Sequence, residues 1–301
     1  MNYKRRRLLL AGASLAAAGS GCIPMAVHAQ AALLRKKIPS SGEEIPIIGL
    51  GTARRYESAG GALRDTLERF GALGATVIDT APVYGQAEAV VGDLLEQLAL
   101  RPRLFLATKV STSGREAGVQ QIEQSFRRLR TGKIDLIAVH NLRDTQTQLQ
   151  TLRELKKQGR IRYVGITTSS DRQYAEFEAT MRREALDFIQ VDYALDNRGA
   201  AERILPLAAE RGMAVMINLP FGRGRLFDAV RGKPLPAWAG DFDCRSWPQF
   251  FLKYIVSHPA VTCAVPGMAR PQYVEDNLGA ARGRLPDAAM RLRMERFIDG
   301  I

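Results

Sequence analysis

Val77-Ile78-Asp79-Thr80-Ala81-Pro82-Val83-Tyr84-Gly85-Gln86-Ala87-Glu88 runs from a short apolar strand into a turn, and it delivers a carboxylic acid and a phenol together from the strand's end. A phenol titrates at about pH 10. It gives up a proton at neutral pH only where its surroundings favour the charged form, so an acid and a phenol placed together call for a cation from elsewhere in the chain. Outward from this stretch, apolar runs of similar length recur at Ile45 to Leu50, Thr76 to Asp79, Leu104 to Lys109, Asp135 to His140, Tyr163 to Thr168, Phe188 to Tyr193, Ala214 to Leu219 and Val261 to Pro266. Between them lie helix-period segments such as Ala62 to Leu73, Val119 to Leu129, Leu149 to Gln158, Ala201 to Arg211 and Phe250 to Ser257. Eight alternations in a chain of 301 residues predict an α/β fold, a closed parallel (β/α)8 TIM barrel. Leu33 to Lys37, with the turn Ser40-Ser41-Gly42 before Ile45, predicts a hairpin on the barrel floor, and Asp287 to Ile298 predicts an extra C-terminal helix. A doubly wound open sheet would want a glycine-rich phosphate turn after its first strand; Gly49-Leu50-Gly51-Thr52 lacks the third glycine and reads as a tight strand exit.

The N-terminus reads differently. Lys4-Arg5-Arg6-Arg7 precedes Leu8-Leu9-Leu10 and an Ala/Gly-rich apolar run that ends at Val27-His28-Ala29, the pattern of an export signal with a small-residue cleavage site. Paired arginines before leucines suggest the twin-arginine route, whose machinery would be a partner, and a periplasmic or otherwise exported location. Two rivals are a lipoprotein box at Ser20-Gly21-Cys22, weakened by Gly19 where an aliphatic residue is expected, and an uncleaved anchor; otherwise the membrane is met only during export. Residues 30 to 301 then form a single barrel domain. Removing the four cations of Lys4 to Arg7 takes the formal charge from +12 to +8. The remaining basic residues are scattered among acids, a solvated surface rather than a nucleic-acid interface. Of the cysteines left, Cys263 reads as a buried free thiol and Cys244 as the exposed one, with a Cys244 to Cys263 disulfide as the alternative in an oxidising compartment.

In a barrel of this kind chemistry lies at the carboxyl ends of the strands. Asp79 ends the second strand with Tyr84 in its loop, Lys109 ends the third and His140 the fourth, so neighbouring strands bring all four to one rim. Lys109 is expected to stabilise the Tyr84 phenolate and lower the phenol's pKa, Asp79 to hold Lys109 charged, and His140 to hydrogen-bond a carbonyl oxygen; with hydride delivered to the carbonyl carbon, Tyr84 would protonate the developing alkoxide. Each has a plainer account alone: a turn cap, a core aromatic, a solvated strand end, a packed strand terminus.

Asp79-Thr80-Ala81-x-x-Tyr84-Gly85-x-Ala87-Glu88, Ala107-Thr108-Lys109 and Asp135-Leu136-x-x-x-His140 resemble the aldo/keto reductase family over about residues 38 to 282. The resemblance implies the catalytic tetrad Asp79, Tyr84, Lys109 and His140, reduction of a small aldehyde or ketone, and NADPH as cofactor, with NADH as the alternative, bound without a glycine-rich turn. It implies Gln190 as a nicotinamide-carboxamide ligand and places the family's pyrophosphate-covering loop on Asn218, Pro220, Gly222, Arg223 and Gly224. It sets Gly267, Arg270 and Asn277 near the adenosine end, at a helix N-terminus suited to phosphate. The chain departs from the family at Thr167-Thr168, commonly Ser-Asn for the carboxamide, at Asn218, where an aromatic ring often stacks on nicotinamide, and at Gly267 and Tyr273, where basic residues occur. Val83, Phe221 and Trp238 are expected to line an open substrate pocket. Two other functions stay open: a nucleotide-holding redox sensor or partner-binding protein with little turnover, and a Schiff-base lyase using Lys109, which Asp79 would oppose by keeping the amine charged. No metal site is expected.

Overall fold

Strands covered on both faces are buried along nearly their whole length and mostly apolar, and that is how the barrel strands behave in the computed structural model, which describes residues 31–58 and 60–301. A hairpin comes first, β1 (Arg35–Lys37) antiparallel to β2 (Glu44–Pro46) with Lys36 opposite Ile45. Eight parallel strands follow in sequential order: β3 (Leu50–Gly51), β4 (Val77–Asp79), β5 (Phe105–Val110), β6 (Ile134–Val139), β7 (Ile161–Thr167), β8 (Phe188–Asp192), β9 (Ala214–Asn218) and β10 (Cys263–Ala264). Parallel bridges Ile48 to Ala264 and Gly51 to Gly267 join the last strand to the first and close the barrel.

The predicted first strand, Ile45 to Leu50, divides between two sheets. Its start belongs to the hairpin, whose last bond is the Ile47 N–H donating to the Leu34 carbonyl, and from Ile48, bridged to Ala264, the chain runs in the barrel. Helices pack outside: α1 (Gly61–Ala72), α2 (Ala87–Gln97), α3 (Arg115–Arg128), α4 (Thr145–Lys157), α5 (Tyr174–Arg183), α6 (Ile204–Glu210), α7 (Arg225–Ala229), α8 (Trp247–Val256), α9 (Pro271–Gly279) and α10 (Ala288–Asp299). The helix predicted over Ala201 to Arg211 starts late, at Ile204, because Pro206 fits only in a first turn. The extra C-terminal helix is α10, capped by the Asp287 carboxylate accepting from the Met290 N–H at 2.8 Å.

Inside the barrel, alternate residues of each strand pack on one another. Val77, Phe105, Leu136, Tyr163, Phe188 and Met216 form this inner core with Ile38 and Ile45 from the hairpin, which closes the floor. Gly165 sits opposite the rings, where a Cβ would lie 2.6 Å from the Phe188 carbonyl oxygen. Tyr163 latches the floor by donating to the Glu43 carboxylate at 2.6 Å. Cys244 and Cys263 are both buried free thiols. Cys244, expected at the surface, is 5% exposed, and burial pushes its thiol up to about 11. Among the described residues no helix is long and apolar enough to cross a membrane. The expected export signal, residues 1–29, lies outside them.

Candidate active site

Apolar at the floor, the inward positions turn polar at the carboxyl end. Asp79 pairs in register with Ala107, and Lys109 stands two residues further along β5; Lys109 pairs with Ala138, and His140 stands two residues further along its chain. This stagger of a closed barrel brings side chains from successive strands to one rim.

Lys109 is 2% exposed, and its ammonium donates to both Asp79 carboxylate oxygens at 2.9 Å and to the Thr80 carbonyl at 2.8 Å. All three N–H groups are thus satisfied. Burial, the largest single influence, pulls the amine down, but the Asp79 carboxylate and, after it, Tyr84 together outweigh it and hold Lys109 above the ordinary lysine value, so it stays charged. Tyr84 hangs from a turn in which its N–H donates to the Ala81 carbonyl at 3.1 Å, and Gly85 follows at φ +59°, a conformation that favours glycine. The ammonium lies 5.1 Å from the centroid of the Tyr84 ring, and His140 meets that ring edge-on at 5.9 Å.

The phenol moves against expectation. Burial raises the Tyr84 pKa, and Asp79 adds to the rise; Lys109 opposes both and is outweighed. Seen from the ring, ammonium and carboxylate form a nearly neutral pair, so Tyr84 keeps its proton at neutral pH. His140 is pushed down to about 3, first by burial and then by the Lys109 charge, and its imidazole is neutral.

A cavity of about 590 Å³ opens above this rim, lined by Asp79, Tyr84, His140, Gln190 and Asn218 on its inner side and by Val83, Phe221 and Phe227 on its apolar side. Pro220, Arg223, Gly224 and Gly267 also line it. The Gln190 Nε2, the Asn218 Oδ1 and the His140 Nδ1 are buried and have no hydrogen-bond partner among the described residues. Gly222 borders a neighbouring cavity of about 340 Å³, where its φ of +56° and a Cβ position overlapping the Asp196 carboxylate demand glycine.

Other expected ligands are not brought to the cavity. The Thr167 hydroxyl accepts from the Asn141 N–H at 3.0 Å, and the Thr168 hydroxyl donates to the Gln173 Oε1 at 2.8 Å, so both brace the loops that follow β6 and β7. Arg270 is exposed at the N-cap of α9, its guanidinium 5.9 Å from the Tyr273 ring, and Asn277 is buried at 4% exposure; neither lines the cavity. Trp238, expected in the pocket, packs instead on Phe250 at 5.6 Å and under the Arg293 guanidinium at 4.3 Å. Its place is taken by Phe227 and by two residues of the β3 to α1 loop, Arg54 and Arg55. Their only sequence signal is position, immediately beyond a barrel strand's carboxyl end, and Arg54 holds a left-handed φ of 58°. The His140, Tyr84 and Asp79–Lys109 grouping places a protonated phenol, a neutral imidazole and a fixed cation around one opening, a set that can polarise and protonate a carbonyl oxygen.

Residues 48–293 match the family model described as Aldo/keto reductase family. The methylglyoxal reductase YeaE of Escherichia coli (strain K12) is 30% identical over 275 residues, covering 86% of this chain and 93% of that protein. An aldo/keto reductase from Klebsiella pneumoniae, solved with NADP and acetate, superimposes with a TM-score of 0.70 at 28% identity, covering 85% of this chain and 93% of that one. An aldo-keto reductase structure from the same organism, solved with NADPH, gives 0.71 at 27% identity and covers 88% and 96%.

Proposed function

The chain belongs to the aldo/keto reductase family, and from that premise we propose that it reduces small aldehydes or ketones to alcohols with NADPH, Tyr84 giving the proton. The observation that carries this reading is the protonated Tyr84 phenol beside the buried Lys109–Asp79 pair and the neutral His140, all at the base of an open cavity. The residues present fit a nicotinamide: two side-chain amides, Gln190 and Asn218, carry unpartnered buried atoms at the cavity wall. Arg223, in the loop after β9, and Arg55, whose stem lies against Gly267, are cations available for the nucleotide's phosphates. Bound there, a reduced nicotinamide supplies hydride to the carbonyl carbon.

The protein's own part is proton transfer and charge stabilisation. His140 orients the carbonyl oxygen by a hydrogen bond, and as negative charge grows on that oxygen Tyr84 donates its proton. Lys109 steadies the phenolate left behind, while Asp79 fixes the ammonium and keeps it charged. A charged Lys109 also leaves the Schiff-base route without the neutral amine it needs. The test is a fluorescence titration with NADPH followed by a carbonyl panel with the wild type and Tyr84→Phe. Turnover is expected to fall by about 10²- to 10⁴-fold with NADPH affinity unchanged; equal turnover by the two proteins would point to a nucleotide-holding sensor instead.

Export belongs to the same proposal. Residues 1–29 carry the twin-arginine pattern, and that route passes folded proteins, so a nucleotide bound before export travels to the periplasm with its enzyme. Mass analysis of periplasmic protein is expected to show a chain starting at Gln30 with nucleotide retained after gel filtration; an empty protein with weak affinity refutes it.

A further inference from the structure

Of the three buried cavity-wall atoms that have no partner among the described residues, two belong to side-chain amides and are complementary. Gln190 on β8 lies inward at 4% exposure with its Nε2 donor unpartnered. Asn218 ends β9, and the register of the two strands, Gln190 with Met216 and Asp192 with Asn218, puts Gln190 and Asn218 on the same inward face, one step apart. The Asn218 amide is oriented without ambiguity: its Nδ2 donates to the Thr168 carbonyl at 3.0 Å, which only the nitrogen can do, so Oδ1 is the end left buried and unpaired. The Asn218 acceptor and the Gln190 amide, whose side chain has no partner among the described residues and can present its N–H2 to the cavity, face a shared space and match a primary carboxamide, which offers a C=O and two N–H groups.

We propose that Asn218 is the residue that receives the N–H of the nicotinamide carboxamide, with Gln190 donating to its C=O. The inference rests on the reading of the cavity as a nicotinamide site. Asn218 replaces the Thr167-Thr168 pair in this role because neither threonine lines the cavity, Thr167 accepting from the Asn141 N–H and Thr168 donating to the Gln173 side chain, and it does so by using the Thr168 carbonyl as its own brace. An asparagine where an aromatic ring would stack on nicotinamide is therefore a change of grip from ring contact to hydrogen bond.

The test is binding, measured by calorimetry, of NADP⁺ and of its 3-acetylpyridine analogue, in which a methyl ketone replaces the carboxamide and so keeps the acceptor and loses the N–H donors. The wild type is expected to bind the analogue about fivefold more weakly, the worth of one neutral hydrogen bond. Asn218→Ala is expected to bring the two affinities together, whereas Gln190→Ala weakens both and preserves their ratio. Binding of both ligands without discrimination by the wild type, or a ratio unchanged in a folded Asn218→Ala, overturns the assignment and leaves the nicotinamide site standing. Failure of the wild type to bind either ligand overturns both. Should Asn218→Ala, deprived of its bond to Thr168, fail to fold, Asn218→Asp keeps the Oδ1 acceptor and is expected to keep the discrimination, and a folded Asn218→Asp that binds both ligands alike overturns the assignment.

Discussion

Asp79→Asn isolates what the carboxylate does for Lys109. The amide keeps the shape of the site and one oxygen acceptor, and the Thr80 carbonyl stays 2.8 Å from the ammonium, so packing is nearly unchanged and the charge alone is removed. At 2.9 Å the lost attraction is about 6 kcal/mol for an effective dielectric near 20. Burial is the largest influence on Lys109 and acts to lower its pKa. With the largest opposing influence gone and only the smaller one of Tyr84 left, Lys109 is expected to shed its proton on folding. The cost of shedding it sets a ceiling on the destabilisation: from an ordinary lysine value of 10.5, at about 1.4 kcal/mol per unit, this is about 5 kcal/mol at pH 7 and about 2 kcal/mol at pH 9. The sign follows from proton counting. In the variant the unfolded chain binds one proton more than the folded one, so stability rises with pH; in the wild type Lys109 is charged in both states over this range and contributes no slope. Urea unfolding of both proteins at pH 7, 8 and 9 is expected to show the gap between them narrowing by about 1.4 kcal/mol per unit. A gap that stays constant from pH 7 to 9 would mean that Lys109 remains charged without Asp79, and the assigned role of the carboxylate would be wrong.

Three further outcomes follow from other parts of the site. His140, held neutral down to about pH 3, should leave no transition near 6.5 in the pH profile of kcat/KM, and its imidazole resonances should titrate far below the ordinary value. Because its folded pKa is depressed, it costs stability progressively as pH falls from 6.5 towards 3, which acid unfolding of His140→Gln against the wild type will show. Gly222→Ala combines a left-handed φ with overlap on the Asp196 carboxylate and should lower stability by about 1–3 kcal/mol, seen as a drop in Tm. Trp238→Ala should lower Tm while leaving KM for carbonyls unchanged, since the indole packs on Phe250 and Arg293; a raised KM would return it to the pocket.

The barrel was legible because its signal is local. Eight apolar runs with helical spacing between them impose one topology, and a polar residue interrupting such a run at its carboxyl end, as Asp79, Lys109 and His140 do, stands out from its neighbours. Boundaries were less legible: the split of Ile45 to Leu50 between hairpin and barrel depends on what each half finds to pair with, and Ala264, the partner of the second half, is far away in the chain. Thr167 and Thr168 have the right position for ligands, yet their hydroxyls are claimed by Asn141 and Gln173, partners chosen by loop geometry.

The amino-acid sequence by itself determined the alternation, the family and which four side chains meet at the rim, because strand order and the period of two place them there whatever the rest of the chain does. The tertiary structure alone decided the state of those groups and the walls around them. The rise of the Tyr84 pKa and the neutrality of His140 follow from how deeply each group is buried and which charge lies beside it, while Trp238 is drawn off by packing on Phe250 and Arg293 and the β3 to α1 loop brings Arg54 and Arg55 to the cavity. Desolvation and Coulomb interaction act across space, between residues with no fixed separation along the chain.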